Sequence, residues 1–533
     1  MKKSFTMFLC TALLLGAVGC SNQGGSEVSS NSKNNEVNSQ SEGGDKKFSY
    51  WVAMNPNAVS VASTYNDVEL FKQLQEKTGV KVEFLHPPTG QSGEQFKLLI
   101  ASRQDLPEVI ETTWLSAYPG GPEKALKDGI IIDIEPYLEE YAPNYKRMIE
   151  EDPELLKQSK TDSGAVYGFH AINGSDKRLF GGFMLRSDWL EELGLEVPET
   201  ISEWEHVLTE FKEKKNATAP ISTDLSSFIS HMIPAYDIAQ KFYLEDGKVQ
   251  YGAITENYKT FLAEMNKWYE KGLIDPDIAS VDSKTIDSNI LNDKAGATFG
   301  GLGGGMGKWL DAATTPGFGL VAAPFPTLEK GAELKVLPSS YSHKMRGTTA
   351  AITTAATEEE IKTIVEWFDQ RYTEEGIMMR NFGVEGLTYN MIDGKPVYTD
   401  LITKNEEGLS MAVALAKYTQ AGYPSPGICE HPDYHSQYMY RPEQQKGLEM
   451  FNTDVATASQ NMLPPVVATP EESKELANIT TELDTYISEK TIAFITGVES
   501  LENFDEFVKN LENLGVNRAI EIQQKGVDRY NAR

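Results

Sequence analysis

Cysteine is nearly absent from this chain. Its 533 residues include only Cys10, Cys20 and Cys429, and the first two lie in an N-terminal segment with the character of a leader. Cys429 is then the only thiol in the part that folds, so the sequence excludes an internal disulfide. We therefore expect stability to come from hydrophobic cores, and Cys429 to be a small buried side chain rather than a nucleophile.

Basic residues are also scarce. The chain has 49 Lys and Arg against 78 Asp and Glu, which gives a net charge of −29. Because like charge repels phosphate, this balance disfavours nucleic acid as a partner. HExxH, GxSxG and zinc-ligand spacings are missing from the sequence beyond the leader, so we expect no enzyme. A surface glycoside hydrolase stays open as the alternative, because it needs only two suitably placed carboxylates.

The N-terminus is typical of a bacterial export signal. Lys2 and Lys3 precede an apolar stretch from Phe5 to Val18, which is too short to cross the hydrocarbon core of about 30 Å. The ending Ala17-Val18-Gly19-Cys20 resembles the lipobox of bacterial lipoproteins, although leucine is usual where this chain has Ala17. The resemblance implies that residues 1–19 are removed and that Cys20 carries the lipid. An ordinary cleavage site, which would release the protein, is the alternative.

Residues 20–47 consist almost entirely of Ser, Asn, Gly, Gln, Glu and Lys. Such a composition cannot bury enough apolar surface to offset the entropy of ordering, so we expect a disordered tether. Its mean reach is on the order of 30 Å. We expect the folded part to lie on the outer face of a cytoplasmic membrane, held there through Cys20.

Beyond the tether, strand and helix patterns alternate. Residues 48–53 predict a strand, residues 67–79 an amphipathic helix that ends at a glycine, and residues 80–84 a second strand. Further helices are predicted near residues 202–214, 258–271 and 358–372. Alternating strands and helices indicate an α/β protein with a largely parallel sheet.

Four motifs resemble, in order, those of a known family: the extracellular solute-binding proteins of carbohydrate ABC importers (family 1 solute-binding proteins), in the branch of large lipoproteins typified by LplA. They are VYG at 166–168, MLRSDWLEELGLEVPET at 184–200, NFGVEGLTY at 381–389, and a C-terminal set of FITG at 494–497, LG at 514–515 and DRY at 528–530. The resemblance covers essentially the whole mature chain.

This resemblance implies an α/β, two-lobed periplasmic-binding-protein fold of type II, with a ligand cleft between lobes that are discontinuous in sequence. We expect lobe 1 to comprise residues 48–172 and 343–405, and lobe 2 to comprise residues 173–342 and 406–533. It also implies capture of a sugar or oligosaccharide, delivery to the permease subunits of an ABC importer, a monomeric state and no cofactor.

Aromatic residues at strand ends are the first candidates for ligand contacts, because sugars stack their C–H faces on rings. Trp51 ends a predicted strand, Trp114 and Tyr118 follow another, and Trp309 follows a run of glycines. Core packing is an equally open interpretation for each of them. For Trp189, Trp204, Trp268 and Trp367 the sequence favours the core.

Three charged residues are further candidates. Arg186 matches the arginine of a family motif and either reaches the cleft or forms a salt bridge to Asp188 within its lobe. Family members usually carry an aromatic residue just before this arginine, where the chain has Met184 and Leu185. Arg346 precedes a predicted strand. Glu385 either bonds the backbone of its own loop, which the sequence favours, or contacts ligand.

Two other segments invite specific interpretations. His431 and His435 with Asp433 resemble a metal cluster, but Pro432 disfavours presentation on a helix, so we expect no zinc. The glycines of residues 300–307 fit neither phosphate-loop pattern, and they predict a close approach of backbone to ligand or a crowded turn. The loops at 422–427 and 431–441 are of the kind that line the mouths of clefts.

Overall fold

The fold is taken from a computed structural model, which describes residues 46–338, 341, 343–420 and 427–533. The predicted signal peptide, Cys20 and all but the end of the predicted tether lie outside these residues. The strands are β1 (Lys47–Trp51), β2 (Lys81–Leu85), β3 (Val109–Thr112), β4 (Phe169–Ile172), β5 (Gly181–Arg186), β6 (Phe242–Glu245), β7 (Lys248–Tyr251), β8 (Ala297–Gly301), β9 (Leu320–Ala322), β10 (Met345–Ile352), β11 (Tyr389–Ile392) and β12 (Lys395–Tyr398).

Helices surround these strands, and short sequence signals fix where several of them begin or end. Thr200 with Glu203, and Thr357 with Glu360, form reciprocal capping boxes at helix starts, and Gly79 ends a helix in the left-handed conformation. The helices are α1 (Pro56–Val59), α2 (Glu69–Thr78), α3 (Ser92–Ser102), α4 (Trp114–Ala117), α5 (Gly121–Lys127), α6 (Glu135–Tyr141), α7 (Pro143–Glu151), α8 (Pro153–Ser159), α9 (Ser187–Leu193), α10 (Ile201–Lys215), α11 (Leu225–Met232), α12 (Glu256–Glu270), α13 (Ser283–Leu291), α14 (Lys308–Ala312), α15 (Glu358–Asp369), α16 (Glu374–Phe382), α17 (Asp400–Thr403), α18 (Met411–Tyr418), α19 (Tyr434–Tyr438), α20 (Pro442–Phe451), α21 (Val455–Ala458), α22 (Pro470–Ile495), α23 (Phe504–Asn513) and α24 (Val516–Asn531).

Lobe 1 is built on a five-stranded sheet in the order β2-β1-β3-β10-β4. β1 pairs in parallel with β2 and β3, while β10 runs antiparallel between β3 and β4. One face packs on α2, α7 and α15, and the other on α3, α4 and α5. Because helices cover both faces, the side chains of β1 are buried on each side of the sheet. Tyr50 lies in one core and Trp51 in the other.

Lobe 2 is built on a three-stranded antiparallel sheet in the order β8-β5-β9. β5 is buried along its whole length, and its two faces contribute to two hydrophobic cores. Trp204 and Trp268 lie in the larger core, from α10 and α12. The sequence prediction of core positions for Trp189, Trp204, Trp268 and Trp367 is confirmed by their burial.

Within the residues that the structure describes, the main chain crosses between the lobes three times. Linker 1 (173–178) follows β4, linker 2 (338–344, described in part) precedes β10, and linker 3 (430–438) includes α19, whose Tyr434 still packs in a core of lobe 1. The predicted lobe boundary after residue 405 is wrong, because α18 still packs in lobe 1, where Ala416 joins the core of the first sheet. Met439 belongs to a core of lobe 2. The third crossing therefore comes some 30 residues later than the sequence suggests.

Candidate functional site

The two sheets approach each other at their strand ends. The C-terminal ends of β1, β3 and β4 and the beginning of β10 share one edge of the lobe 1 sheet, and the beginning of β5 pairs with the end of β8 in lobe 2. Arg346, the second residue of β10, lies 5.7 Å from the ring centre of Phe180, which precedes β5. We call this meeting place the strand-edge site.

Arg346 is the sequence-predicted residue that lies at this site. It is buried, and its guanidinium donates to the carboxylate of Glu430 at 2.8 Å. His435 Nε2 lies 3.2 Å from the same carboxylate, and its ring stacks on Phe180 at 3.9 Å. Burial acts to raise the pKa of Glu430, but His435 and Arg346 outweigh it and the pKa is lowered. The ionised carboxylate therefore fixes the arginine beside an aromatic ring.

Glycines leave backbone open on both sides of the strand-edge site. In lobe 1, Gly347 is exposed in a β-bulge of β10, beside the exposed Thr113 at the end of β3. In lobe 2, β8 ends at the exposed Gly301, and the chain then makes a single wide helical turn over Leu302–Gly307 that exposes Gly304. Such open backbone offers N–H and C=O groups to a ligand without steric obstruction.

An aromatic residue from linker 3 completes the lobe 2 side. The Tyr438 ring stacks on Tyr434 and lies so close to Gly303 that a Cβ there would be 2.4 Å from the ring. Gly303 is therefore required by the packing of Tyr438. Together Phe180 and Tyr438 supply two half-buried rings next to the open glycines.

Trp51, Trp114 and Tyr118 are core residues, and the prediction that they stack on ligand is not supported by their positions. Trp114 is 0% exposed. Its ring packs edge-on against Phe96 at 5.3 Å, and its Nε1 donates to the carbonyl of Ile110. Trp51 also packs against Phe96, and the Tyr118 hydroxyl donates to Asp128. These side chains fill the space between the sheet and α3–α5.

Trp309 also lies in a core, although beside the strand-edge site. It is 3% exposed, and its Nε1 donates to Asp287 at 2.7 Å. The ring covers Gly300, where a Cβ would lie 2.7 Å from it. This contact explains the glycine at 300 as a crowded turn, which is one of the two interpretations that the sequence left open. It leaves no ring face for a ligand.

Arg186 lies away from the strand-edge site, and Glu385 lies in an exposed turn. Arg186 is buried at the opposite end of β5, where it pairs with Asp188 at 2.6 Å and with Asp293 at 2.5 Å. This is the lobe-internal salt bridge that the sequence offered as the alternative, and it corrects the ligand assignment. Glu385 is exposed in the turn before β11, where residue 386 bonds back to Tyr389.

His431 and His435 do not converge on a common point. His431 Nδ1 accepts from the backbone of Asp433 and its ring lies against Phe382, whereas His435 faces Glu430. Across the part of the chain that the structure describes, no group of three or more His, Cys, Asp and Glu side chains is placed to hold a metal ion.

A cavity of about 500 Å³ lies where the linkers come together. Asn173, Lys344 and Glu430, one residue from each linker, contribute to its wall, together with Tyr372 and Cys429 of lobe 1. Cys429 is buried, which raises the pKa of its thiol to about 12. The predicted role of this cysteine as a buried small side chain agrees with that environment.

Sequence reasoning missed Phe180, Tyr438, Thr113 and Gly347. Phe180 and Thr113 carry no motif, and their importance comes from lying at strand ends that meet in space. The sequence did flag the glycines of residues 300–307 and the irregular run that contains Tyr438. No local signal distinguishes Gly347 from the other glycines of the chain.

Two α/β lobes joined by three linkers, with an open site at the edge of both sheets, define a two-lobed binding protein. The profile of the family described as bacterial extracellular solute-binding protein matches residues 60–369. The chain therefore belongs to this family of solute-binding proteins. The family resemblance inferred from the motifs is thereby confirmed.

Relatives and solved structures agree with this assignment. The chain is 25% identical to lipoprotein LipO of Bacillus subtilis over 477 residues, which are 85% of this chain and 88% of LipO. It is 24% identical to the fructooligosaccharide ABC transporter substrate-binding protein FusA of Streptococcus pneumoniae over 495 residues, 88% of each protein. The crystal structure of alginate-binding protein AlgQ2 superposes with a TM-score of 0.71 at 23% identity, over 91% of this chain and 98% of that one.

A protein of Bifidobacterium longum infantis, described as an HMO-binding, ABC-transporter-associated solute-binding protein, superposes with a TM-score of 0.72 at 20% identity, over 91% of this chain and 99% of that one. These superpositions confirm the predicted two-lobed α/β fold. Among the helices that the structure describes, none is long and apolar enough to cross a membrane.

Proposed function

We propose that this protein captures a sugar or oligosaccharide at the strand-edge site and delivers it to the permease subunits of an ABC importer. Relatives that match most of the chain support the solute class, since FusA is named for fructooligosaccharides. The chemistry of the site supports it as well. Sugars present apolar C–H faces and rings of hydroxyls, which suit aromatic rings beside charged hydrogen-bonding groups and open backbone.

One observation carries the proposal: two exposed glycines at the site are not required by the fold. A Cβ on Gly304 would meet no atom within 4 Å, and one on Gly347 would meet only Thr113 at an ordinary 3.6 Å. Neither glycine has a positive φ. Neither packing nor backbone conformation therefore demands glycine at these two positions, and the lack of a side chain leaves the backbone there accessible to a ligand.

Substituting these glycines tests the site. At Gly304 and Gly347 a Cβ meets no close atom and both positions are exposed, so for Gly304→Phe and Gly347→Phe we expect an unchanged thermal midpoint and a loss of oligosaccharide binding. Val498→Phe is the control, because Val498 is 85% exposed and follows α22, which packs in the larger core of lobe 2. Binding that survives both substitutions would refute the strand-edge site.

The solute class is tested by a panel of neutral and acidic oligosaccharides, measured by thermal shift and by product analysis. A ligand at 100 times its dissociation constant adds about 2.7 kcal/mol to stability. Stabilisation without product is the result expected of a receptor that is not an enzyme. Product formation favours the glycoside hydrolase, and silence across the panel contradicts both functions.

We further propose that the protein acts as a monomer anchored through Cys20 to the outer face of the cytoplasmic membrane. Two acyl chains, at about 0.8 kcal/mol per buried CH₂, hold a protein on a bilayer far better than one. Cys20→Ala should move the protein from the membrane fraction to the medium. Retention of this variant in the membrane fraction would contradict the lipid anchor.

A further inference from the structure

The loops that lead from the lobe 1 sheet towards the strand-edge site contain no Asp, Glu, Lys or Arg. β1, β2 and β3 run in parallel, so their C-terminal ends lie at the same edge of the sheet. The three segments that follow these strands are residues 52–66, 86–93 and 113–122. At the chain's average of 24% charged residues, about eight would be expected in them. Burial lowers the pKa of His86, the histidine of the second segment, so this side chain is neutral at pH 7.

The opposite edge of the same sheet is charged. Residues 76–81 lead into β2 and residues 103–108 lead into β3, and these two segments carry six Asp, Glu, Lys and Arg residues among twelve positions. Both edges belong to one lobe, so the average composition of that lobe does not explain the difference between them. The uncharged edge is the one that faces lobe 2.

The lobe 2 side of the site has the same character. Residues 299–307, which end β8 and form the wide helical turn, contain no Asp, Glu, Lys or Arg. Lys308 comes next in the chain, and its ammonium pairs with Asp287 at 2.6 Å. The rings of Phe180 and Tyr438 lie beside this turn, so the side chains there are aromatic rather than ionic.

The cations between the two edges are already paired with carboxylates of the protein. Arg346 donates to Glu430 at 2.8 Å, and the side chains of both residues are less than a tenth exposed. Arg178 of linker 1 pairs with Glu154 at 3.0 Å. The lysines of the linkers are paired in the same way, Lys177 with Glu449 and Lys344 with Asp152. An anionic ligand would therefore have to displace a carboxylate of the protein to gain any of these cations.

We infer that the captured solute is an uncharged saccharide and that uronates and sulfated or phosphorylated sugars are excluded, an inference that rests on the sugar-receptor function proposed above. Family membership leaves the charge of the solute open, since FusA is named for fructooligosaccharides and AlgQ2 for alginate, a polymer of uronates. Sugar hydroxyls need no counter-charge, and the Thr113 hydroxyl and the exposed backbone at Gly304 and Gly347 offer them hydrogen bonds. A charge that leaves water without gaining a partner is strongly disfavoured. The net charge of −29 acts in the same direction by repelling anions.

Saccharide pairs that differ only in charge test this inference on the unaltered protein. Each neutral oligosaccharide of the panel is set against the acid in which its CH₂OH groups are carboxylates, as in galactotetraose and tetragalacturonate. In calorimetric titrations we expect the neutral member of a pair to bind and the acid to bind at least about tenfold more weakly. An acid that binds within tenfold of its neutral counterpart, or more tightly, overturns the inference and leaves the sugar receptor in place. If neither member of any pair binds, the proposed function fails and the inference fails with it.

An added cation at the site should weaken the exclusion of acids. Thr113→Lys places an ammonium at the exposed end of β3, so the affinity for the acid, relative to that for its neutral counterpart, should rise by about tenfold. Val498→Lys makes the same charge change at an exposed position after α22 of lobe 2 and should leave this ratio unchanged. A folded Thr113→Lys variant that keeps the original ratio contradicts the placement of these loops on the ligand-facing surface. The paired titrations of the unaltered protein decide the inference even if Thr113→Lys fails to fold.

Discussion

Replacing Trp114 by alanine should destabilise the protein without changing its ligand affinity. The ring has no exposed surface, packs edge-on against Phe96 and donates to the carbonyl of Ile110. Removing a buried tryptophan side chain costs about 3–5 kcal/mol through lost transfer energy and the cavity left behind. The entropy of unfolding for a chain of this size is about 1 kcal/mol per kelvin, so the midpoint should fall by about 3–5 °C.

Calorimetry of the free protein, combined with titration of an oligosaccharide found in the panel, separates the two roles of this residue. Tyr440→Ala is the control, because Tyr440 is a largely exposed aromatic residue whose loss should stay within about 0.5 kcal/mol. If Trp114→Ala keeps the midpoint of the unaltered protein and loses the ligand, the ring is a stacking platform and the core assignment is refuted.

Three further changes have defined outcomes. Gly174→Ala places a Cβ 1.7 Å from the carbonyl oxygen of Glu430, so linkers 1 and 3 must separate, and we expect altered ligand affinity and a loss of about 1–3 kcal/mol in the free energy of unfolding. The control Gly93→Ala on α3 should instead stabilise the protein by about 0.5–1 kcal/mol. Equal thermal midpoints for the two variants would contradict the contact. Burial lowers the pKa of His231 to about 4, so the stability that its neutral form contributes is full above the unfolded pKa near 6.5 and is lost as pH falls towards 4. His231→Phe should reduce the pH dependence of the free energy of unfolding, measured with denaturant, by up to about 1.4 kcal/mol per pH unit over that window. An unchanged pH dependence would exclude this histidine as its source. Arg186→Met should cost about 1–3 kcal/mol by chemical denaturation with ligand affinity retained, and a selective loss of binding would restore its predicted ligand role.

Much of lobe 1 was predictable because its signals are local. The strand predicted at residues 48–53 forms over Lys47–Trp51, and the helix predicted at residues 67–79 forms over Glu69–Thr78. Alternating burial and a terminal glycine specify such elements without reference to the rest of the fold. The family motifs then supplied the two-lobed arrangement, which no periodicity in the chain contains.

The third crossing was misplaced because its signal is not local. α18 is a short helix with an apolar face, and its sequence does not specify which of two cores that face joins. Its burial against lobe 1 depends on α1 and α2, more than 300 positions earlier in the chain. Arg346 depends in the same way on Glu430, which lies 84 residues away.

The tryptophans expected at the ligand site lie in the cores, whereas exposed glycines lie at the proposed site, and this difference has a physical reason. A tryptophan that follows a strand begins at the edge of the sheet, but the helix that it enters sets the direction of its side chain. In α4 the side chain of Trp114 is directed beneath the sheet, where it packs against Phe96. Glycine has no side chain to be turned inward, so an exposed glycine at a strand end keeps its backbone at the edge whatever the following element does. Gly347 in the bulge of β10 and Gly304 in the turn after β8 keep their backbone exposed on opposite sides of the site. For the proposed strand-edge site, exposed glycines therefore mark the open backbone more directly than the tryptophans do.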